Sequence, residues 1–439
     1  MIHAIIESMK VTAIIAEYNP LHKGHEYLIE RARSLSGADR ILVLMSGDFV
    51  QRGEPAITDK YSRTKVALLS GADLVLELPT PFATASADWF ARGAVSILKS
   101  LGCVDSICFG SEEDDAGLLN KIASVTLSES PDYKNILDEG LRSGLSYPAA
   151  RAKAIAGLYS DKLNISHEIL SNILVQPNNT LALSYMRAAL NCQYYVNFIP
   201  VKRIGSGYNS TDKGALSSLS VRNVIYSGDP CDLKDQLPDG AYELLTGDIK
   251  GNCLLFHDDI SALILQKIRE KLFLSAKQLV PPYHGNIERI TASELMEYED
   301  VSEPLSYKLI NYVNQVSTVT ELIRKCKSKD MTYAHISRAL IHILLELKHD
   351  LYLPNKNNSC YARVLGFRKD SADLLTLIKE RSDIPLISKS ADADLLVADA
   401  RAHDILLHDF YAANLYEQLR ALKSGRPFTA EQSKQIVTL

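Results

Sequence analysis

Over roughly its first hundred residues the chain alternates short apolar runs with amphipathic stretches, a rhythm that few architectures tolerate. Val11-Thr12-Ala13-Ile14-Ile15-Ala16 reads as a buried strand. Residues 25–34 read as a helix with Leu28, Ile29 and Ala32 on one face. Residues 41–45 give a second strand, and residues 58–70 a helix with Thr58 or Asp59 as its N-cap. Leu74-Val75-Leu76 is a third strand, closing on Pro79; residues 86–101 form a long helix and residues 106–109 a fourth strand. Strands alternating with helices pair in parallel through right-handed crossovers, so an α/β, Rossmann-like doubly wound parallel sheet is expected. Ligands of such sheets sit beyond the carboxyl ends of the strands. The segments there are Glu17-Tyr18-Asn19-Pro20, residues 47–55 and Gly110-Ser111-Glu112. All are rich in glycine, polar and charged residues, and they would converge on one cleft.

Residues 116–190 read as helical, and residues 194–201 as a further strand followed by Lys202-Arg203-Ile204-Gly205. Residues 217–226 read as a helix. Gly228-Asp229-Pro230 and Leu237-Pro238-Asp239-Gly240 then punctuate the chain and predict a boundary near residue 235. A catalytic domain over residues 1–235, with a helical insertion, would precede a mostly helical C-terminal domain over residues 236–439. A short alternating stretch at residues 361–367 interrupts the latter. The length of 439 residues suits two or three domains.

No apolar run reaches the roughly 18 residues needed to span a bilayer, and no secretory signal is evident, so no membrane association is expected. Met9 is an alternative start to Met1, because regular structure begins just after it. Seven cysteines, none in a CxxC pair, argue against a disulfide framework or zinc knuckle and for a reducing, cytoplasmic location. A net charge of −5 gives no global attraction to nucleic acid, so an RNA partner would need local Lys/Arg patches.

The strongest chemical signal is Asn19-Pro20-Leu21-His22-Lys23-Gly24-His25, where a strand enters a turn and a helix follows. A helix start offers unpaired N–H groups and a positive dipole end to a phosphate. Gly24 removes a Cβ from the path of a nucleotide. His22 and His25, three residues apart, can both donate hydrogen bonds to charge that builds up in a transition state. Phosphoryl and nucleotidyl transfer need mainly positioning and charge stabilisation. The HxGH pattern resembles the signature of the adenylyltransferase and class I aminoacyl-tRNA synthetase superfamily, whose members release pyrophosphate from ATP.

Further signals lie at the same sheet end. The loop of residues 47–55, with Asp48, Gln51 and Arg52, would bind a second substrate or the phosphates. Gly110 in Phe109-Gly110-Ser111-Glu112 would allow close contact with an adenine or ribose. Asn178, in Gln176-Pro177-Asn178-Asn179, can read a base or ribose, and Arg203 can neutralise phosphate. Ser220 and Arg222, in Ser217-Ser218-Leu219-Ser220-Val221-Arg222, can hold the β and γ phosphates. Taken singly, each segment also reads as a turn, a surface loop or a capped helix.

Together these segments resemble one family. Residues 17–25 are similar to its EYNPFHxGH, residues 46–55 to SGNFVQRGEP, residues 71–79 to GADLVIELP and residues 109–112 to FGSE. Pro177-Asn178-Asn179 is similar to PNN and residues 217–222 to SATxIR; weaker likeness extends to residues 332–338 and 361–366. The family is the bacterial tRNA(Met) cytidine acetate ligases. Two departures stand out: Asp48 replaces a usual asparagine, and Leu219 a usual small residue.

The resemblance implies activation of acetate by ATP to acetyl adenylate, then acetyl transfer to N4 of the wobble cytidine of elongator tRNA(Met). It implies an ATP-binding stretch of Ile15, Ala16, Glu17, Tyr18, Asn19, Pro20, Leu21, His22, Lys23, Gly24, His25, Glu26, Tyr27 and Leu28, with Gly110, Asn178 and Arg203 as further contacts. His22 and His25 would be catalytic. Mg²⁺ would be held mainly through the nucleotide, with no protein metal site, and Glu17, Glu54 and Asp48 are unranked candidates for a base. Arg151, Lys153, Arg324, Lys325, Lys327, Lys329, Arg338, Arg363, Arg368 and Lys369 are candidate tRNA contacts. A small-metabolite adenylyltransferase of the same superfamily is the alternative, though the long helical half weighs against it. The intact histidines weigh against an RNA-binding protein without catalysis.

Overall fold

The computed structural model describes residues 8–127, 130–203, 216–227, 233–277, 287–352 and 360–439. Met1, Ile204, Gly205, Cys231 and the turn Gly228-Asp229-Pro230 lie outside the described residues. The first half alternates as the sequence predicts: β1 (Val11–Ala16), α1 (Lys23–Ser36), β2 (Arg40–Ser46), a hairpin of β3 (Phe49–Val50) and β4 (Glu54–Pro55), α2 (Lys60–Leu69), β5 (Leu74–Leu78), α3 (Ala87–Ser100) and β6 (Ser106–Ser111). Asp59 rather than Thr58 caps α2, its carboxylate accepting from the N–H groups of Tyr61 and Ser62. Five helices follow, α4 (Ala116–Val125), α5 (Pro131–Arg142), α6 (Tyr147–Leu163), α7 (His167–Val175) and α8 (Pro177–Asn191), before β7 (Asn197–Lys202) and α9 (Ser218–Ser227).

β5, β2, β1, β6 and β7 lie side by side in that order, all parallel. The chain moves outward from β1 to β5, then crosses to β6 on the other side of β1. The reversal between β1 and β6 is where a doubly wound sheet opens a ligand crevice. The strands are apolar on both faces because both are covered. Ala13, Ile15, Leu42 and Leu44 join the core beneath α3 and α8. Ile14, Ile41, Val43 and Met45 join the opposite core beneath α1 and α2.

The rest is chiefly helical: α10 (Ala241–Lys250), α11 (Ser261–Lys277), α12 (Ile287–Leu295), α13 (Glu303–Tyr312), α14 (Val319–Cys326), α15 (Tyr333–Leu344), α16 (Ala372–Arg381) and α17 (Ala400–Ser424). It also carries β8 (Ala362–Phe367), β9 (Leu386–Ile387) and β10 (Val437–Thr438). β8 pairs antiparallel with β5 and is flanked by β9 and β10, so the sheet is mixed at this edge. A cut at residue 235 would therefore remove three strands from the sheet, and the predicted boundary does not divide the structure there. The reason is packing: β5 is wholly buried and needs a neighbour on its outer edge. Helix α17 adds cross-links, since Tyr416 Oη donates to Ala56 O at 2.7 Å and Asp409 accepts from Thr80 N at 2.6 Å.

Among the described residues no helix is long and apolar enough to cross a membrane, and the cysteines form no disulfide.

Candidate active site

The turn after β1 is held by residues far away in sequence. Tyr18 takes a positive φ of 51°, and the Asn19–Pro20 peptide is cis. Asn19 O accepts from Arg222 Nη1 at 2.6 Å, and Pro20 O from Ser218 Oγ at 3.1 Å. The Asn19 side chain accepts from Ile57 N at 2.8 Å, while Leu21 is buried in the core beneath α1. These contacts deliver His22 to the N-cap of α1.

The histidine rings stand face to face, their centroids 3.9 Å apart and 30° from parallel. Gly24 N donates to His22 Nδ1 at 3.0 Å, and His22 N donates to His25 Nδ1 at 3.4 Å. Each Nδ1 is thus an acceptor, which places the ring hydrogen on Nε2. Burial, with the Arg203 cation second, lowers His22 to about 4. Burial, then His22 and Arg203, take His25 well below the ordinary value. Both rings are neutral Nε2–H donors at neutral pH.

The expectation of unpaired N–H groups at this helix start needs correction. Lys23 N donates to Gln236 O, Gly24 N to His22 Nδ1, and His25 N to His22 O. The capping box and the Gln236 carbonyl consume the backbone donors, and imidazole donors stand in their place. Gly24 is required for this arrangement: a Cβ there would lie 2.8 Å from His22 Cε1.

A cavity of about 510 Å³ opens at the reversal between β1 and β6. Ile15, Ala16, Glu17 and Tyr18 line it from the end of β1, and His22, Lys23, Gly24, His25, Tyr27 and Leu28 from α1. Gln51 and Arg52 reach it from the β3–β4 hairpin, and Gly110, Asn178 and Arg203 from the far side. Asn19, Pro20, Leu21 and Glu26 do not line it; the first three shape the turn. Phe90, Leu181, Ala182 and Tyr185 form an apolar wall that sequence reading missed, since buried helix faces carry no local chemical signal. Ser218 was also missed, although it lies inside the serine motif.

Three predicted side chains face elsewhere. Asp48 is buried; its carboxylate accepts from Lys60 N at 2.9 Å and lies 3.7 Å from Lys60 Nζ, so it holds the first residue of α2 instead of meeting a substrate. Arg222 is buried between Asn19 O and Glu54, 3.0 Å from its carboxylate, so it braces the turn and the hairpin. Ser220 Oγ pairs with Ser217 Oγ at 2.9 Å. Arg63, also missed, donates to the carbonyls of Glu17, Ser46, Gly47 and Thr58 and so ties the ends of β1 and β2 together.

Across the cleft, Glu112 accepts from Asn178 Nδ2 at 2.6 Å and Asn179 N at 3.0 Å. Asn179 Oδ1 in turn accepts from Glu112 N and Glu113 N. This reciprocal clamp joins the end of β6 to the start of α8. The hairpin is tethered from behind. Ser337 Oγ donates to Gly53 O at 2.7 Å, and Gly53 sits at φ 76° with the Arg338 backbone where a Cβ would stand.

Of the candidate RNA contacts, Lys153, Arg324, Lys325, Lys327, Lys329 and Lys369 are exposed, and Arg151 is partly so. Arg338 is held by Asp300 at 2.7 Å and Arg368 by Asp370 at 3.2 Å. Arg363 is 1% exposed, 2.9 Å from Glu77 and in contact with Glu431, which removes it from any RNA surface.

A family model described as HIGH Nucleotidyl Transferase matches residues 9–428. A relative from Clostridium perfringens named tRNA(Met) cytidine acetate ligase is 35% identical over 415 residues, covering 94% of this chain and 96% of its own. One of the same name from Acetivibrio thermocellus is 35% identical over 434 residues, covering 96% and 99%. The solved structure of Thermotoga maritima TmcAL bound with alpha-thio ATP superposes with a TM-score of 0.84 at 27% identity, covering 98% of this chain and all of that one.

Proposed function

We propose, from the premise that the chain belongs to the tRNA(Met) cytidine acetate ligase family of HIGH nucleotidyl transferases, that it is an ATP-dependent ligase acting in two steps at the cavity between β1 and β6. Acetate attacks the α-phosphorus of ATP and pyrophosphate leaves. N4 of the wobble cytidine of elongator tRNA(Met) then attacks the acetyl carbonyl, and AMP leaves. Cytidine N4 is a poor nucleophile, which is the chemical reason for making a mixed anhydride first.

The observation that carries this reading is the locked pair of neutral histidines facing the cavity. Two Nε2–H donors, fixed before substrate binds, meet negative charge as it grows on the α-phosphate. Lys23 and Arg203 line the same cavity and supply positive charge for the phosphates; Arg222, occupied by Asn19 and Glu54, is not assigned to pyrophosphate. Arg52 at the hairpin tip is the cation offered to the acetate carboxylate. Among the described residues no group of three or more His, Cys, Asp or Glu comes together to hold a metal. A magnesium ion would enter on the phosphates, and no step is assigned to it. The helical part beyond residue 235, with Lys325, Lys327 and Lys329 exposed, is the proposed tRNA-binding region.

The test supplies ATP, labelled acetate and several tRNAs. Pyrophosphate release should require acetate, and label should enter elongator tRNA(Met) alone. Release with a phosphorylated metabolite in place of acetate would favour the adenylyltransferase alternative. Pyrophosphate release that survived alanine at both His22 and His25 would sink the mechanism.

A further inference from the structure

We propose that Glu17 is the proton acceptor of the second half-reaction, taking the proton that cytidine N4 must lose as it attacks the acetyl carbonyl; the proposal rests on the ligase reading above. The step balances. The N4–C bond forms, the acyl C–O bond to the adenylate breaks, and AMP departs with that electron pair. The N4 proton passes to the Glu17 carboxylate and from there to solvent.

The cavity wall leaves few alternatives. A base must line it and hold a free lone pair. His22 and His25 do not qualify, because each Nδ1 is occupied by a backbone N–H and each Nε2 already carries hydrogen. Lys23, Arg52, Lys202 and Arg203 are cations, and Tyr18, Tyr27 and Tyr185 offer only phenol hydroxyls, which are weak bases. Of the three acids suggested by the sequence, Asp48 is bound to Lys60 and Glu54 to Arg222, and neither lines the cavity. Among the described residues Glu17 is the one carboxylate that does. Its Oε1 accepts from Gln51 N at 2.8 Å, which fixes the carboxylate at the root of the hairpin and leaves a second oxygen for the reaction.

The groups facing Glu17 come from three elements. They are Arg52 and Glu54 of the hairpin, Arg222 of α9 and Tyr185 of α8. Burial raises the Glu17 pKa above the ordinary carboxylate value, while the Gln51 N–H, Arg52 and Arg222 act in the opposite direction. A raised value makes a carboxylate a stronger base while it stays ionised.

Glu17→Gln separates base from brace, since the amide oxygen can still accept from Gln51 N but cannot take a proton. Two readouts are taken on the full chain: hydroxylamine capture of acetyl adenylate as acetohydroxamate, and acetyl transfer to tRNA. Transfer should fall about 10²–10⁴-fold, at least about tenfold more than hydroxamate formation. The acid limb of the wild-type pH profile for transfer should be absent in the variant. Equal losses in both readouts, or transfer at the wild-type rate, overturn the proposal alone. A wild-type protein that makes no hydroxamate from acetate overturns the ligase reading and this proposal with it.

Discussion

His22 and His25 owe their chemistry to two backbone hydrogen bonds and to burial, and each has a measurable consequence. Because Gly24 N donates to His22 Nδ1, nuclear magnetic resonance of the ring nitrogens should report an Nε2–H tautomer at pH 7 that titrates near 4. A midpoint at the ordinary 6.5 would contradict the assignment. The folded value lies below the unfolded one, so the fold favours the neutral ring. That stability is complete above about 6.5 and is lost as pH falls towards about 4. His25, His257 and His342 are lowered in the same direction, so the thermal midpoint should decline across that window. Gly24→Ala puts a methyl 2.8 Å from His22 Cε1 and should cut pyrophosphate release about 10²–10³-fold. Helix stability should hold, or rise by up to about 1 kcal/mol, because alanine suits a helix better than glycine. A melting curve beside an activity assay checks both halves.

At the scale of elements, the sheet end is assembled by buried charge. Lys60, the first residue of α2, lies 2.7 Å from Glu77 on β5 and 2.8 Å from Glu431 near the C-terminus. Arg363 on β8 completes the cluster at 2.9 Å from Glu77. Burial alone would raise the Glu431 pKa, but Lys60 and Arg363 hold it down at about 2. Glu431→Ala strips a partner from two buried cations and should cost about 3–5 kcal/mol, read as a lower urea midpoint. A loss under about 1 kcal/mol would show that the cluster is not held as a closed network. The Glu431 contribution is complete above the usual carboxylate value and fades as pH falls through about 2. None of this was legible beforehand. Lys60, Glu77 and Arg363 sit inside runs that read as ordinary helix and strand; the antiparallel β5–β8 pairing sets Arg363 opposite Glu77, and the start of α2 brings Lys60 to them.

At the scale of the whole molecule, the helical part frames the cavity end of the sheet. α17 reaches under the hairpin through Tyr416, and α15 grips Gly53 through Ser337. Exposed lysines at the end of α14 lie beyond this frame, so binding of tRNA there should be strongly salt-dependent. Replacing Lys325, Lys327 and Lys329 with alanine should weaken binding across tRNA sequences. The slope of log affinity on log salt should drop by about 0.7–0.9 for each phosphate that these lysines no longer neutralise. An unchanged slope would move the RNA surface elsewhere.

The alternation of apolar runs and helices specified the doubly wound sheet, because period and polarity are local properties of the chain. The motif of residues 19–25 likewise located the cleft, since a strand–turn–helix carries its own position in such a sheet. What tertiary structure decided is which polar groups are free. Asp48, Arg222 and Arg363 read as available charges in sequence, but Lys60, Glu54 and Glu77 occupy them in the fold. Glu17 was one acid among three until burial and pairing left it alone at the cavity wall. The completion of the sheet by β8 could not be read locally either. A strand's partner depends on which buried edge lacks a neighbour, and that is set by contacts hundreds of residues apart.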